Sequence, residues 1–552
     1  MTSKPAPPKR ITKRVSLPKP APTTNPTEPG TVATAVTPAP STPPAGSTPD
    51  PGPARAARPA PPNAPVPPVP PKPPAWTWRG PDRVPAGAAV VAILVAAAAG
   101  AAVIPVDRPG VGWLLAGAAG IVALAVVIGR AASWRQAAWA AATAALLAVG
   151  AVRAADWLFV LCLLAAAGTA LFAVVEARSI RAILLSAVLV PIAFFRALPW
   201  VRAGLHHLGG RRRRGSAARA AAVAVVSALL LLVFGALFSS ADAAFADLLD
   251  QVLPAISGGT VARALVLFPF LAGLLATAAF LLAGPPDLAG LSGGPKATLR
   301  RSDWAVPVTL LDLLFLAFVA VQARVLFGGA AHVLAPDGPT FATYARSGFW
   351  QLLVVTGLTL LVITAAGRWA ARETRADRVA IRVLLGALAV LTLVIVASAT
   401  HRMWTYEQAY GFTRLRLFVS AVELALGAIF LAILVAGIRL RGGWLPRAVV
   451  AIATLALLGL AVLNPDRFIA DRNIDRFADT GRIDLHYLNT LSADAVPALD
   501  RLTGGDRACA LWLVEKSLAD HPGDWRAFNV GRHQARELLA VDPAGTCTTY
   551  RR

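Results

Sequence analysis

A chain of 552 residues that is 56% hydrophobic and only 15% charged, where soluble domains carry about 25% charged residues, does not read as a water-soluble enzyme. Its net charge of +23, from 53 Lys and Arg against 30 Asp and Glu, is spread through a tail and short loops. That distribution marks membrane topology and contact with membrane lipids, with no nucleic acid expected as a partner. Three cysteines exclude a dense disulfide framework and a Cys-rich metal site.

Residues 1–76 are rich in Pro, Ala and Thr, with Lys4, Lys9, Arg10, Lys13, Arg14 and Lys19 near the start and a run of almost pure Pro, Ala and Val from Pro61 to Pro74. Such a segment buries too little apolar area to offset its ordering entropy, so it reads as a disordered, partly polyproline-II tail. The first apolar core begins only near Val84, too late for a signal peptide, and the tail is expected in the cytoplasm, where its prolines could recruit a protein partner.

Residues 77–464 hold apolar stretches at 84–103, 111–128, 137–152, 157–175, 184–198, 220–238, 261–282, 306–327, 349–366, 383–398, 417–438 and 444–463. At 1.5 Å per residue most are long enough to cross about 30 Å of hydrocarbon. The fold class is therefore all-α, a polytopic transmembrane helix bundle in a cell membrane. Basic clusters at Arg211–Arg214, at Lys296, Arg300 and Arg301, at Arg368, Arg372, Arg375 and Arg378, and at Arg439, Arg441 and Arg447 follow alternate stretches, as cytoplasmic loops do. A cytoplasmic tail and a cytoplasmic Arg211 require an even number of crossings between them, yet five candidates lie there. The stretch 184–198, short, interrupted by Pro191 and carrying Arg196, reads as interfacial or re-entrant, which leaves about eleven spans.

Residues 465–552 turn polar, with 13 acidic against 12 basic side chains, and read as a small helical extracytoplasmic domain. Helices are expected over 466–477 and from Ser492 to Leu499. Cys509 and Cys547 are candidates for a disulfide closing a loop of about forty residues, worth roughly 3 to 4 kcal/mol, with two free thiols as the alternative. Cys162, inside a span, reads as packing.

Ser239-Ser240-Ala241-Asp242 has the form of a capping box opening an amphipathic helix. That helix either merely caps the bundle or makes Asp242 part of an entry site for a cation or substrate. Asp312 stands deep in an apolar stretch, where an acid is a functional candidate or an interhelical tie. The outer loop from His401 to Arg416 concentrates Arg402, Tyr406, Glu407, Tyr410 and Arg414. These form either an interface belt with lipid-phosphate anchors or a pocket in which an Arg binds an anion and Glu407 acts as acid, base or cation ligand. Glu423 shares a helical face with Arg416, about 10 Å further into the span. His206-His207 reads as surface. We find no catalytic motif, no metal-ligand spacing and no cofactor fingerprint.

The patterns Leu237 to Phe245, Arg402-Met403 through Tyr410-Gly411-Phe412-Thr413, and Asn464-Pro465-Asp466 through Leu491 to Leu499 together resemble an uncharacterised group of bacterial integral membrane proteins, the domain-of-unknown-function types 4153 and 4173. The resemblance spans 178–502 and carries no assigned reaction. Some members look to be labelled sensor kinases, but this chain shows neither an ATP-binding Gly-rich motif nor a kinase-sized cytoplasmic domain. The expectation is a multi-pass membrane protein whose activity no motif names. Three classes stay open: a transporter or channel-like protein using buried acids, an enzyme acting on a lipid or envelope substrate, and a scaffold or sensor. A topology reporter fused at Gly210 is expected to read cytoplasmic; an extracytoplasmic signal would overturn the assignment of 184–198.

Overall fold

The computed structural model describes residues 78, 80–129, 132–175, 180–208, 238, 245, 258–286, 299–327, 349–440 and 442–547, all within one compact unit, Lys72–Arg552. The tail, nearly all of the 220–238 stretch and the segment holding Asp242 lie outside these residues. The membrane part comprises α1 (Gly87–Val103), α2 (Val111–Ile128), α3 (Trp134–Val152), α4 (Asp156–Val175), α5 (Ile180–Leu208), α6 (Gly258–Ala283), α7 (Arg301–Phe327), α8 (Phe349–Trp369), α9 (Arg375–Tyr410), α10 (Arg414–Arg439) and α11 (Leu445–Leu463). Then follow α12 (Pro465–Thr480), α13 (Leu485–Leu488), a 3-10 turn (Ala493–Ala495), α14 (Val496–Leu499), α15 (Gly504–Asp520), a second 3-10 turn (Trp525–Ala527) and α16 (Val530–Val541). Among the described residues nine helices are long and apolar enough to cross a membrane: α2 to α7 and α9 to α11. The apolar helix α1 is shorter, as is Val354–Trp369, the continuous part of α8 whose side chains are described.

The helices begin where the sequence supplies caps. Ser133 and Gln136 form a reciprocal capping box at α3, Thr374 and Asp377 another at α9, and the Thr413 hydroxyl accepts from the Arg416 N–H at α10. Small residues let neighbours approach: Gly100 of α1 faces Leu271 of α6, Gly117 of α2 faces Leu147 of α3, and Gly150 of α3 faces Phe159 of α4.

The helix ends sort into two opposite levels. At one, Leu299 N–H donates to Trp369 O at 2.9 Å, joining the start of α7 to the end of α8, and Arg372 donates to Leu440 O at 3.4 Å, reaching the end of α10. Arg300, Arg301, Arg368, Arg375, Arg378 and Arg439 belong to these same helix ends. At the other level residues 465–547 cover the ends of α1, α3, α9 and α11 and the starts of α2, α4 and α10. One apolar core runs through that junction, from Leu146 and Leu158 of the bundle to Ile469, Leu488, Leu499 and Leu511. Cys509 and Cys547 form a disulfide across 38 residues with Cα atoms 4.6 Å apart, a closure worth about 4 kcal/mol on chain entropy.

Two segments differ from the sequence reading. The expected short stretch 184–198 is part of the 29-residue helix α5, with Pro191 and Pro199 inside it, and its 188–206 portion is long and apolar enough to cross. Its contacts lie towards the arginine-rich level, however. Arg196 donates to Trp78 O at 2.6 Å, Trp200 donates to Arg83 O at 2.9 Å, and Gly204 abuts Pro85 and Val90 near the start of α1. Ala193 and Ala197 pack with Phe280 and Leu281 at the end of α6 and Val174 and Val175 at the end of α4.

The second difference is α9. The expected loop from Ala399 is helical as far as Tyr410 because residues 399–410 contain neither Gly nor Pro. At 36 residues α9 is about 54 Å long and must emerge well beyond the hydrocarbon. Gly411 ends it with φ +80°, a left-handed conformation that costs Gly least. Asn473 packs against Gly411 where a Cβ would stand, bonding Phe412 N–H at 3.1 Å and Phe412 O at 2.9 Å.

Candidate functional site

Asn464 takes φ +57° after α11 and Pro465 opens α12, which turns Asp466 back beneath the C-terminal helices. Asp466 is fully buried. Arg414 meets it with two bonds, Nε to Oδ1 at 2.9 Å and Nη2 to Oδ2 at 2.5 Å, while Ser492 N–H donates to Oδ2 at 2.8 Å and Trp157 Nε1 to Oδ1 at 3.4 Å. Burial pushes the carboxyl up, but the Arg414 bonds and charge and the Ser492 bonds outweigh it and hold Asp466 below the usual carboxylate range. Tyr487 Oη accepts the Arg414 N–H at 2.7 Å. One carboxylate thus fixes the starts of α4, α10 and α12 and the turn before Ala493.

Asp494, also buried, accepts Ala154 N–H at 2.7 Å and Ala155 N–H at 3.1 Å on Oδ2. These amides lead into α4, so the cap of a span comes from 340 residues further along the chain. Asp494 Oδ1 has no hydrogen-bond partner among the described residues, and Gly531 lies against it. Burial raises this carboxyl to about 6. Similar service reaches other span ends. Asn529 Nδ2 donates to Gly150 O at 2.8 Å, Arg526 to Ala102 O at 3.1 Å, Arg153 to Ala461 O at 2.6 Å, and Arg532 to Pro109 O and to Ala527 O. Burial lowers Arg532 to about 10.

A separate polar layer lies between α9 and α10. Glu407 is 3% exposed and Glu423 4% exposed. Ser420 Oγ donates to Glu407 Oε1 at 3.4 Å, and Thr400 lies within hydrogen-bonding reach of the Glu423 carboxylate, close enough to feel the charges of Glu407 and Arg402. Glu423 Oε2 has no hydrogen-bond partner among the described residues. Above this layer the Arg416 guanidinium sits 4.4 Å over the Tyr406 ring, which tilts against Tyr410 at 4.9 Å.

Of the sequence candidates, Arg402, Tyr406, Glu407, Tyr410 and Glu423 thus share the α9–α10 interface. Arg414 does not serve that pocket, because Asp466 takes its guanidinium. Asp312 lies mid-way along α7 with both carboxylate oxygens buried and unbonded among the described residues. Asp242 lies outside those residues. No cluster of three His, Cys, Asp or Glu suited to a metal occurs among the described residues. The partnerships of Asp494, Asn529 and Arg532 were not read from sequence. Their local signal is an acid or amide just before a helix start, which does not say whose amides it will bind.

This arrangement, a bundle of apolar helices with buried carboxylates between them, is that of a polytopic membrane protein of unknown activity. Within that class the chain belongs to the family described as Domain of unknown function (DUF4153), whose model matches residues 141–502. The match begins inside α3, earlier than the resemblance at 178, and takes in Trp157, Glu407, Arg414, Glu423, Asp466 and Asp494. Arg526, Asn529, Arg532 and both disulfide cysteines fall beyond it. No curated protein and no solved structure matches the chain.

Arg414→Gln leaves Asp466 charged and buried without its cation, so it is expected to cost about 3 to 5 kcal/mol, whereas Asp466→Asn costs less because Arg414 is 31% exposed and can turn to solvent. Thermal melting of the purified protein checks the ranking; equal melting of the two variants contradicts it. Asp494 has a folded pKa above the unfolded one, so its contribution is complete below about pH 4 and is lost as pH rises through about 6. The melting temperature of the wild type minus that of Asp494→Asn is therefore expected to fall between pH 4 and 6 and be flat from 7 to 8.

Proposed function

We propose that the protein is a proton-coupled transporter or channel-like protein of the cell membrane, with Glu407 and Glu423 as its proton site. The observation that carries this reading is Glu423, 4% exposed with Oε2 unbonded among the described residues, within electrostatic reach of the equally buried Glu407. Keeping two buried carboxylates charged in one interhelical layer is costly, and a shared, exchangeable proton relieves that cost. Asp312, on the α7 that packs against α9, supplies a second acid deeper in the bundle.

In this reading the topology has about eleven spans. The arginine-rich level and the basic, proline-rich tail face the cytoplasm, following the positive-inside tendency. Helix α5 lies at the cytoplasmic interface, which its contacts with the start of α1 and the ends of α4 and α6 support. Residues 465–552 form a helical extracytoplasmic region, a compartment in which the Cys509–Cys547 bond persists.

The test is proton flux into liposomes carrying the full chain, driven by a potassium diffusion potential and read with an internal pH dye. The wild type is expected to exceed empty liposomes clearly, and Glu423→Gln to lower the rate at least tenfold with unchanged reconstitution. Wild-type flux equal to that of empty liposomes, or an unaltered Glu423→Gln rate, would sink the proposal.

A further inference from the structure

At the level covered by residues 465–547, α1 and α6 bound a cavity of about 350 Å³. Ala98, Ala102 and Phe268 give it apolar walls, and two guanidinium groups lie on it, Arg263 of α6 and Arg526 from the second 3-10 turn. Arg263 lies in the second turn of α6, which begins at Gly258, near the end of the span, where phospholipid headgroups lie. Its Nε is buried without a hydrogen-bond partner, and no acidic side chain pairs with it among the described residues. Arg526 is anchored by Asp524 at 2.9 Å and by Ala102 O at 3.1 Å. Among the described residues the cavity lining therefore carries two cations, Arg263 and Arg526, with Asp524 paired to the latter.

Towards the bundle centre it continues as exposed apolar stripes at helical spacing. Ala102, Ala98, Val95 and Val91 follow one another on α1, and Val266, Phe270 and Leu274 follow Arg263 on α6. An anion without a tail would leave those walls unmatched, while an amphiphile with one phosphate matches both halves.

We propose that this cavity binds the phosphate headgroup of an anionic phospholipid, with an acyl chain along the α1 and α6 stripes. Guanidinium groups suit phosphate oxygens through paired, charge-assisted bonds. Because Arg526 comes from the segment that caps α1, the lipid would touch both the bundle and the C-terminal helices and hold them together. This site is distinct from the Glu407–Glu423 layer and does not depend on its role.

Native mass spectrometry of the full chain, released from detergent after titration with phosphatidylglycerol or phosphatidylcholine, tests this. Retention of phosphatidylglycerol over phosphatidylcholine is expected, weakened about fivefold by Arg263→Gln. Ala98→Phe, which fills the cavity without changing charge, is expected to weaken it as well, and Arg439→Gln at the opposite level to leave it unchanged. The Ala98→Phe arm decides if Arg263→Gln does not fold. Equal retention of both lipids, retention unchanged in both cavity variants, or displacement of the lipid by millimolar inorganic phosphate would each overturn the proposal, the last by making free phosphate the ligand.

Discussion

A carboxylate shut away from water must find its donors in the protein, and the way Asp466 finds them organises one whole end of this bundle. Its four donors come from three stretches of chain, Trp157 in α4, Arg414 in α10 and Ser492 ahead of the first 3-10 turn. The pair with Arg414 is bidentate and draws in Tyr487, so the direction in which α10 leaves the junction is fixed along with its position. Around it the same logic repeats with weaker partners: Asp494 for α4, Asn529 for α3, Arg526 for α1 and Arg532 for the approach to α2. Helix ends near a membrane surface carry backbone groups that no neighbouring turn can satisfy. Here side chains distant in sequence satisfy them.

Buried charge in this protein thus falls into two kinds. Asp466 is engaged at both oxygens and Arg532 holds two backbone carbonyls, and their bonds read as architecture. Among the described residues, Glu423, Asp312 and one oxygen of Asp494 are buried with bonding capacity left over, which is costly. Glu423 and Asp312 both lie on helices that pack against α9, the longest helix described. A helix that continues from the bundle into the C-terminal layer is well placed to couple events at Glu407 and Glu423 with that layer, since its last turn meets Arg476 through Ala409 O at 2.8 Å.

The membrane spans were legible because their signal is compositional and local: twenty apolar residues announce themselves whatever surrounds them. Boundaries were less so. Polarity puts the end of α9 twelve residues too early, because His401, Arg402 and Glu407 look like loop residues, whereas helix termination follows from Gly411. For the site, Glu407 and Glu423 stand out as acids in or beside apolar stretches, but helical spacing relates Glu423 only to Arg416 and leaves Glu407 in the outer loop. Arg414 was read with them and instead pairs with Asp466, 52 residues on. No periodicity carries that information, since it depends on how α11 and α12 return the chain. The capping boxes at Ser133 and Thr374 close within four residues, while the amides ahead of α4 wait for Asp494.

That last point bears on the order in which the molecule can be made. Ribosomes deliver α1 to α4 long before residues 494, 526, 529 and 532 exist, so the ends of those helices enter the membrane with their polar groups served only by water and headgroups. The bundle reaches its final packing only after residues 465–547 have been synthesised and have docked on these helix ends. Truncation near the C terminus is then a lesion of membrane assembly, with its damage appearing at helices hundreds of residues upstream.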